Sequence, residues 1–272
     1  LGKNSKIKSI YWIPDLQQLQ LKELFSIKKK FKRWLDIYIA SKNASVILFS
    51  SKTVRQIFLQ KYPNLKKKLF VLNFLNKLPK KQPKSNLAKK FKNYFLISNQ
   101  FWIHKNYDLI LKGLVELKKQ KLNPYILSTG TKFDWRSSSY YSNLLKKIRQ
   151  NKLSNFIILG KVSREEQLGL ILKANYLINP SRSEGWNSAI EEAKSLKTNV
   201  LASNLDVHKE QLGKKGIYFG CDDYLRFSYI LKKKYLKTKK KKIRYNNLYN
   251  LNKSNFKKFA LSYQNILWKI IK

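Results

Sequence analysis

The regular alternation of apolar and amphipathic segments over residues 94–235 constrains the fold of this chain more than any other feature. Six short apolar segments are predicted strands, at 94–98, 124–128, 155–159, 176–179, 199–203 and 216–219. Predicted helices fill the intervals and follow the last strand, at 106–120, 138–150, 163–173, 188–197, 206–213 and 222–235. Apolar strands separated by helices are typical of a parallel sheet that is covered on both faces. We therefore predict a Rossmann-like α/β domain, in which ligands bind beyond the carboxyl ends of the strands.

A shorter alternation precedes this domain. Strands are predicted at 7–14, 46–49 and 69–74, with an amphipathic helix at 21–41 and another at 51–62. Three strands are too few for a self-standing doubly wound domain, so this part is predicted to be the second half of one. The Lys- and Pro-rich stretch 76–92 has no apolar period and is interpreted as an interdomain crossing.

The loop after the strand at 176–179 carries the strongest functional signal. Ser188 and Glu191 have the S-x-x-E spacing of a capping box, which predicts a helix that starts there. A helix N-terminus at the end of a strand favours anions, because unpaired N–H groups point outward from it. Glu184 in the loop and Glu192 in the predicted first turn add two carboxylates, which suit the hydroxyls of a ligand. A nucleotide sugar carries both phosphates and hydroxyls.

Glu184 and Glu192, with seven residues between them, resemble the E-x7-E motif of retaining glycosyltransferases of the GT-B fold, the GT4-like group (glycosyl transferases group 1). The surrounding Pro-Ser-x-x-Glu-Gly-Trp and Glu-Ala match as well. The resemblance covers nearly the whole chain and implies an N-terminally incomplete enzyme. Its implied parts are the second half of an acceptor-side Rossmann-like domain at 1–80, a linker at 81–90, a donor-binding Rossmann-like domain at 91–235, and a basic turn with a helix that crosses back at 236–272.

The resemblance also implies roles for residues of the loop and helix. Glu184 is expected to contact hydroxyls of the donor sugar and to take part in catalysis, and Glu192 to hold the ribose. The remaining donor-binding residues expected from this segment are Gly185, Trp186, Asn187 and Ser188.

Four further positions follow from the resemblance. Lys105, in the loop after the first strand of the second domain, is expected to bind the diphosphate and to act in catalysis. Asn99 lies near the position where the family has an arginine. The turn with Gly160 and Val162 is expected to hold the base through main-chain groups. Asp15, in Trp-Ile-Pro-Asp, is assigned to the acceptor side, although Pro-Asp is also ordinary turn chemistry.

The implied reaction moves a sugar from a nucleotide diphosphate with retention at the anomeric carbon, without a metal or cofactor. The two histidines and the single Cys221 are too few for a typical metal site, and no G-x-G-x-x-G stretch is present. The resemblance further implies a glycan or lipid-linked acceptor in cell-envelope polysaccharide synthesis. The expected location is cytoplasmic, with peripheral contact at the inner face of the plasma membrane.

The charge balance leaves alternatives open. Lys+Arg number 58 against 15 Asp+Glu, which gives a net charge of +43 and admits a nucleic-acid-binding protein. Because the basic residues are mostly lysine, whereas base-reading surfaces rely on arginine, we favour a solvated basic surface, followed by adhesion to anionic lipid, and expect no nucleic acid. A non-catalytic donor-domain remnant is the other alternative, since Asn99 removes one expected cation and the first half of the acceptor domain is not in the sequence.

Overall fold

The computed structural model describes residues 7–65, 68–91, 93–237 and 244–271. The strands of this part are β1 Ile10–Ile13, β2 Val46–Phe49, β3 Lys68–Val71, β4 Tyr94–Ser98, β5 Tyr125–Thr129, β6 Phe156–Gly160, β7 Tyr176–Asn179, β8 Asn199–Ser203 and β9 Ile217–Phe219. The α-helices are α1 Gln17–Gln20, α2 Ile27–Asn43, α3 Lys52–Lys61, α4 Leu87–Lys90, α5 Tyr107–Lys119, α6 Tyr140–Gln150, α7 Arg164–Lys173, α8 Ser188–Ser195, α9 Asp206–Leu212, α10 Tyr224–Leu236 and α11 Tyr245–Ile271. The basic run 237–242 is predicted to be a turn, and of its residues only 237 is among those described.

The first three strands form a parallel sheet in the order β1-β2-β3. One face packs on α2 and α3, where Ile37, Val54 and Phe58 are buried. The other face packs on the end of the last helix, through Ile266 and Ile270 of α11. Because both faces of β2 are covered, all four of its residues are buried, as expected for a parallel strand.

The other six strands form a parallel sheet in the order β6-β5-β4-β7-β8-β9. Helices cover both faces, α5, α6 and α10 on one and α7, α8, α9 and the start of α11 on the other. The strand order reverses between β4 and β7, so the loops after these two strands lie side by side at the carboxyl edge of the sheet. Doubly wound sheets bind their ligands at this edge.

Several helix boundaries differ from the prediction. The helix expected at 21–41 is divided, because the side chain of Ser26 accepts a hydrogen bond from the N–H of Lys29 and starts α2 at Ile27. The apolar period at 253–271 predicts the last helix there, and the helix begins eight residues earlier, at Tyr245. No described helix is both long and apolar enough to cross a membrane.

The cap of α8 is also corrected. Asn187, not Ser188, precedes the helix, and its side-chain oxygen accepts from the N–H of Ile190 at 3.0 Å. Ser188 is the first helical residue, so Glu191 lies in the first turn and Glu192 in the second. Asparagine caps as well as serine, and spacing alone does not distinguish the two adjacent positions.

Ser163 and Glu166 also have the S-x-x-E spacing that predicts a capping box, but only half of this box is formed. Ser163 accepts from the N–H of Glu166 at 3.2 Å and begins α7, as expected. The Glu166 carboxylate does not bond back to Ser163; it accepts from Ser85 and from the N–H groups of Asn86 and Leu87. Glu166 thereby fixes the short helix α4 within the segment interpreted as a linker.

A carboxylate of the larger sheet caps a helix of the smaller one. Glu210 of α9 accepts hydrogen bonds from the N–H groups of Lys52 at 2.8 Å and Thr53 at 3.0 Å, at the start of α3. A carboxylate at a helix N-terminus satisfies unpaired N–H groups and opposes the helix dipole. This contact joins the two halves of the molecule directly.

Candidate functional site

A cavity of about 380 Å³ opens between the loops that follow β1, β4 and β7. Seven of the predicted site residues line its wall, namely Asp15, Lys105, Glu184, Gly185, Trp186, Asn187 and Ser188. The other three, Gly160, Val162 and Glu192, do not. A larger groove of about 820 Å³ lies between β3, α8 and α11 and contains neither Lys105 nor Glu184.

A buried ion pair forms the centre of the cavity wall. The Nζ atom of Lys105 lies 2.6 Å from Oε1 of Glu184, and less than a tenth of either side chain is exposed. The same oxygen accepts from Ser181 Oγ at 2.7 Å and from Asn187 Nδ2 at 2.8 Å. Three donors therefore fix the orientation of this carboxylate. Its other oxygen, Oε2, accepts no hydrogen bond from the described residues and is available to a ligand.

Glu184 is charged at neutral pH despite its burial. Burial alone raises the pKa of this carboxyl, but the ammonium of Lys105 and the hydrogen bond from it outweigh that effect and lower the pKa of Glu184 to about 2. A permanently ionised, oriented carboxylate is a strong acceptor for sugar hydroxyls.

His104 lies beside this pair and is neutral. The residue is buried, and neither ring nitrogen has a hydrogen-bond partner among the described residues. Burial, with the nearby Lys105, lowers the pKa of His104 to about 3. The second histidine, His208, is buried behind the site with its Nδ1 atom 2.9 Å from the Ser203 carbonyl oxygen, and burial lowers its pKa as well.

These histidines predict a loss of stability in mild acid. The pKa of such a histidine is lower in the folded protein than its value of 6.5 in the unfolded chain. Its full contribution to the free energy of unfolding is therefore present above pH 6.5 and is lost as the pH falls toward 3. When the pH is lowered from 7.5 to 5.0, we expect His104 to lower the free energy of unfolding by roughly 2 kcal/mol, because each pH unit below 6.5 removes about 1.4 kcal/mol. Urea unfolding at the two pH values should show a smaller drop in His104→Gln. An identical drop in both proteins would contradict the prediction.

Glu192 lies one side chain behind the cavity wall. Its Oε1 atom accepts from Asn76 Nδ2 at 3.0 Å and from the guanidinium of Arg164, and its Oε2 atom accepts from Gln167 Nε2 at 3.3 Å. Gln167 also donates to Ser98 Oγ and lines the cavity. Burial raises the pKa of Glu192, and Arg164 opposes that rise. All of these partners are on other elements, so no local pattern in the sequence pointed to them.

The turn after β6 is separate from the cavity. Gly160 has φ +71°, a left-handed conformation that favours glycine, and no heavy atom lies within 4 Å of the position a Cβ would take. Its carbonyl oxygen accepts from the N–H of Gly130 at 2.9 Å. Val162 is half-buried. The turn therefore offers open space beside a main chain, and its role in holding a base stays a prediction.

The acceptor-side prediction falls on the same cavity. Asp15 lines it, and its Oδ1 atom accepts from the N–H of Gln17 at 3.3 Å and from Arg33 at 3.5 Å. Trp12 lines the cavity too, although the sequence motifs did not place it among the site residues. The available signal was its place near the end of a strand, just before a proline turn that faces the carboxyl edge.

Lys105 is the only lysine or arginine on the wall that the described residues form. Asn99, near the position where the family resemblance implies an arginine, also lines the cavity and is buried. Among the described residues, no group of three or more His, Cys, Asp or Glu side chains is placed to hold a metal ion. Independence from metal remains a prediction.

Comparison with known proteins identifies a family over more than half of the chain. The sequence profile described as glycosyl transferases group 1 matches residues 79–226. No curated protein matches this chain by sequence.

Solved structures with a similar fold cover nearly the whole chain. Sucrose-phosphate synthase from Thermosynechococcus elongatus superposes with a TM-score of 0.78 at 13% identity, over 98% of this chain and 69% of that one. Anabaena HepE in complex with UDP and glucose gives 0.69 at 15% identity, over 96% and 71%. The pneumococcal O-GlcNAc transferase GtfA in complex with UDP and GlcNAc gives 0.66 at 12% identity, over 88% and 48%. At these identities the likeness establishes the fold, which is of the GT-B type.

Proposed function

Because the chain belongs to the glycosyl transferases group 1 family, we propose that it transfers a sugar from a nucleotide-diphosphate donor to a glycan or lipid-linked acceptor, with retention at the anomeric carbon and without a metal ion. The observation that carries this proposal is the buried Lys105–Glu184 pair at the carboxyl ends of β4 and β7. A fixed cation and a fixed carboxylate in one cavity match the two halves of such a donor, its diphosphate and its sugar hydroxyls.

The geometry suggests a separate role for each of the two charged side chains. The free Oε2 atom of Glu184 accepts a donor-sugar hydroxyl, while Oε1 stays bonded to its three protein donors. Lys105 has two further N–H groups for the diphosphate, and the N-terminus of α8 adds unpaired main-chain donors.

Bond cleavage then places negative charge on the departing diphosphate and cationic character on the sugar. Lys105 stabilises the first of these charges and Glu184 the second. The pair is already oriented before reaction, so little reorganisation is needed when charge develops.

Glu192 is proposed to hold the ribose, on the basis of the family resemblance. Its contact with Arg164 and Asn76 means that a ribose must share or displace one of these donors. The main-chain groups of Gly160 and Val162 are proposed to hold the base, because the space beside the Cα atom of Gly160 is open.

Thermal unfolding with nucleotides tests the donor site. We expect one class among UDP-, GDP- and ADP-linked sugars to raise the Tm of the wild type, because a ligand that binds only the folded state stabilises it. Glu192→Ala should lose most of that rise, whereas Glu23→Ala, a change of an exposed carboxylate outside the cavity, should keep it. A folded wild-type protein that responds to none of these nucleotides would refute the donor site.

We also propose that the protein contacts an anionic membrane at its surface. It would then act in the cytoplasm, in cell-envelope synthesis. Exposed apolar residues recur every fourth position along α2, at Ile27, Phe31, Leu35 and Ile39, and basic residues at 28–30, 32 and 33 flank them. A helix with an apolar stripe and flanking cations is suited to lie in a lipid interface. Sedimentation with phosphatidylglycerol vesicles tests this: binding should fall in Phe31→Ser, and equal binding to phosphatidylcholine vesicles would argue against it.

A further inference from the structure

The cavity is lined by three tryptophans, two of which are already engaged by the protein. Trp102 donates its indole N–H to the Phe133 carbonyl at 2.9 Å, and the guanidinium of Arg136 lies 4.8 Å from its ring centre. Trp186 donates its indole N–H to the Phe74 carbonyl at 3.1 Å. These two rings are fixed walls of the cavity.

Trp12 has no such engagement. The residue is 51% exposed, and its indole makes no hydrogen bond, aromatic contact or cation contact with the described residues. It follows Tyr11 and precedes the buried Ile13 on β1, so the alternation of the strand directs it away from the α2–α3 face. A large, unengaged aromatic side chain at the wall of a cavity is available to a ligand.

A carboxylate with a free oxygen lies three residues further along the chain on the same wall. Asp15 uses Oδ1 for its hydrogen bonds to Gln17 and Arg33, while Oδ2 accepts none from the described residues. An aromatic side chain and a carboxylate that line one cavity match the chemistry of a sugar ring, which presents C–H groups on one face and hydroxyl donors at its edge.

We propose that Trp12 and Asp15 form the saccharide-binding site for the acceptor, with the sugar ring on the indole of Trp12 and a hydroxyl donating to Oδ2 of Asp15. The inference rests on the proposed function in that the opposite side of the cavity holds the donor at Glu184. It follows that the part of the acceptor that receives the transferred sugar is itself a sugar unit. An acyl chain in this place would bury Oδ2 of Asp15, which accepts no hydrogen bond from the described residues, and leaving it so is costly.

Saturation-transfer NMR with free saccharides tests this site independently of the donor. The probes are the methyl glycosides of glucose, galactose, mannose, rhamnose and N-acetylglucosamine, each added to the wild type. We expect at least one of them to bind, Trp12→Ala to weaken its binding about tenfold or more, and Trp12→Phe to retain most of it. Trp268→Ala is the matched control, because Trp268 is similarly exposed (55%) but lies on α11 away from the cavity.

Three outcomes would overturn the proposal. They are saccharide binding unchanged in Trp12→Ala, no binding of any probe by the wild type, and a wild-type dimer that Trp12→Ala dissociates, which would assign the exposed indole to a second copy. Nucleotide-dependent stabilisation is measured on the same variants. Trp12→Ala should retain it, so a wild type that is stabilised by nucleotides but binds no saccharide refutes this site and leaves the donor site intact.

Discussion

Replacing Lys105 with methionine is expected to lower the rate of sugar transfer by about two to three orders of magnitude, which is the usual cost of removing one preorganised group that stabilises developing charge. The same change should destabilise the fold by roughly 3–5 kcal/mol, because it leaves the carboxylate of Glu184 buried without its cation. Initial rates with the stabilising nucleotide sugar and urea unfolding at pH 7.5 measure the two effects.

A second substitution separates the two effects. In Lys105→Met combined with Glu184→Gln the buried charge is absent, so much of the lost stability should return while transfer stays low. Lys147→Met is the matched control: Lys147 pairs with Asp108 at the surface and is about half exposed, so its loss should cost less than about 1 kcal/mol and leave the rate unchanged. Near-normal transfer by folded Lys105→Met would contradict a catalytic role for this lysine.

Gly185→Ala is expected to open the cavity by forcing its two sides apart. A Cβ at Gly185 would lie 1.7 Å from the carbonyl oxygen of Pro14 and 3.0 Å from the Cβ of Asp15. The closer of these atoms is main chain, so no side-chain rotation relieves the clash. We expect a loss of roughly 1–3 kcal/mol in unfolding free energy and of about two orders of magnitude in transfer rate, since a shift near 1 Å misplaces reacting groups.

Gly220→Ala gives the comparison for this change. Gly220 is also a loop glycine, but a methyl carbon added there would have the Asp223 Cβ as its nearest neighbour, at 3.1 Å, which small adjustments accommodate. Gly220→Ala should therefore have nearly the same unfolding free energy and transfer rate as the wild type. If Gly185→Ala matched Gly220→Ala, the loops after β1 and β7 would not be in this close contact in solution.

The sequence predicted the larger sheet almost completely because its signals are local. Each strand from Tyr94 onward lies within one residue of its predicted position, since a short apolar run between polar turns specifies a buried strand without reference to the rest of the chain. Helix starts were less predictable. Ser26 divides an otherwise continuous apolar period, and Asn187 caps a helix for which the adjacent Ser188 offered an equally good spacing.

The sequence also placed Glu184 and Lys105 correctly at the ends of strands, as part of a motif and a loop position. Only the tertiary structure joined them. They are 79 residues apart, and their strands become neighbours because the strand order reverses between β4 and β7. Their 2.6 Å contact sets the charge and the orientation of the carboxylate, which no local pattern encodes.

What the sequence determined by itself, then, is the class of fold and the residue types that follow each strand at the carboxyl edge of the sheet, because periodicity and motif spacing are properties of neighbouring residues. The tertiary structure determined which side chains contact one another and which of them line the cavity. It buried Glu192 behind Gln167 with Arg164, kept Gly160 and Val162 off the cavity wall and left Trp12 exposed on it. These outcomes depend on which distant segments meet, and such meetings follow from the packing of the whole chain.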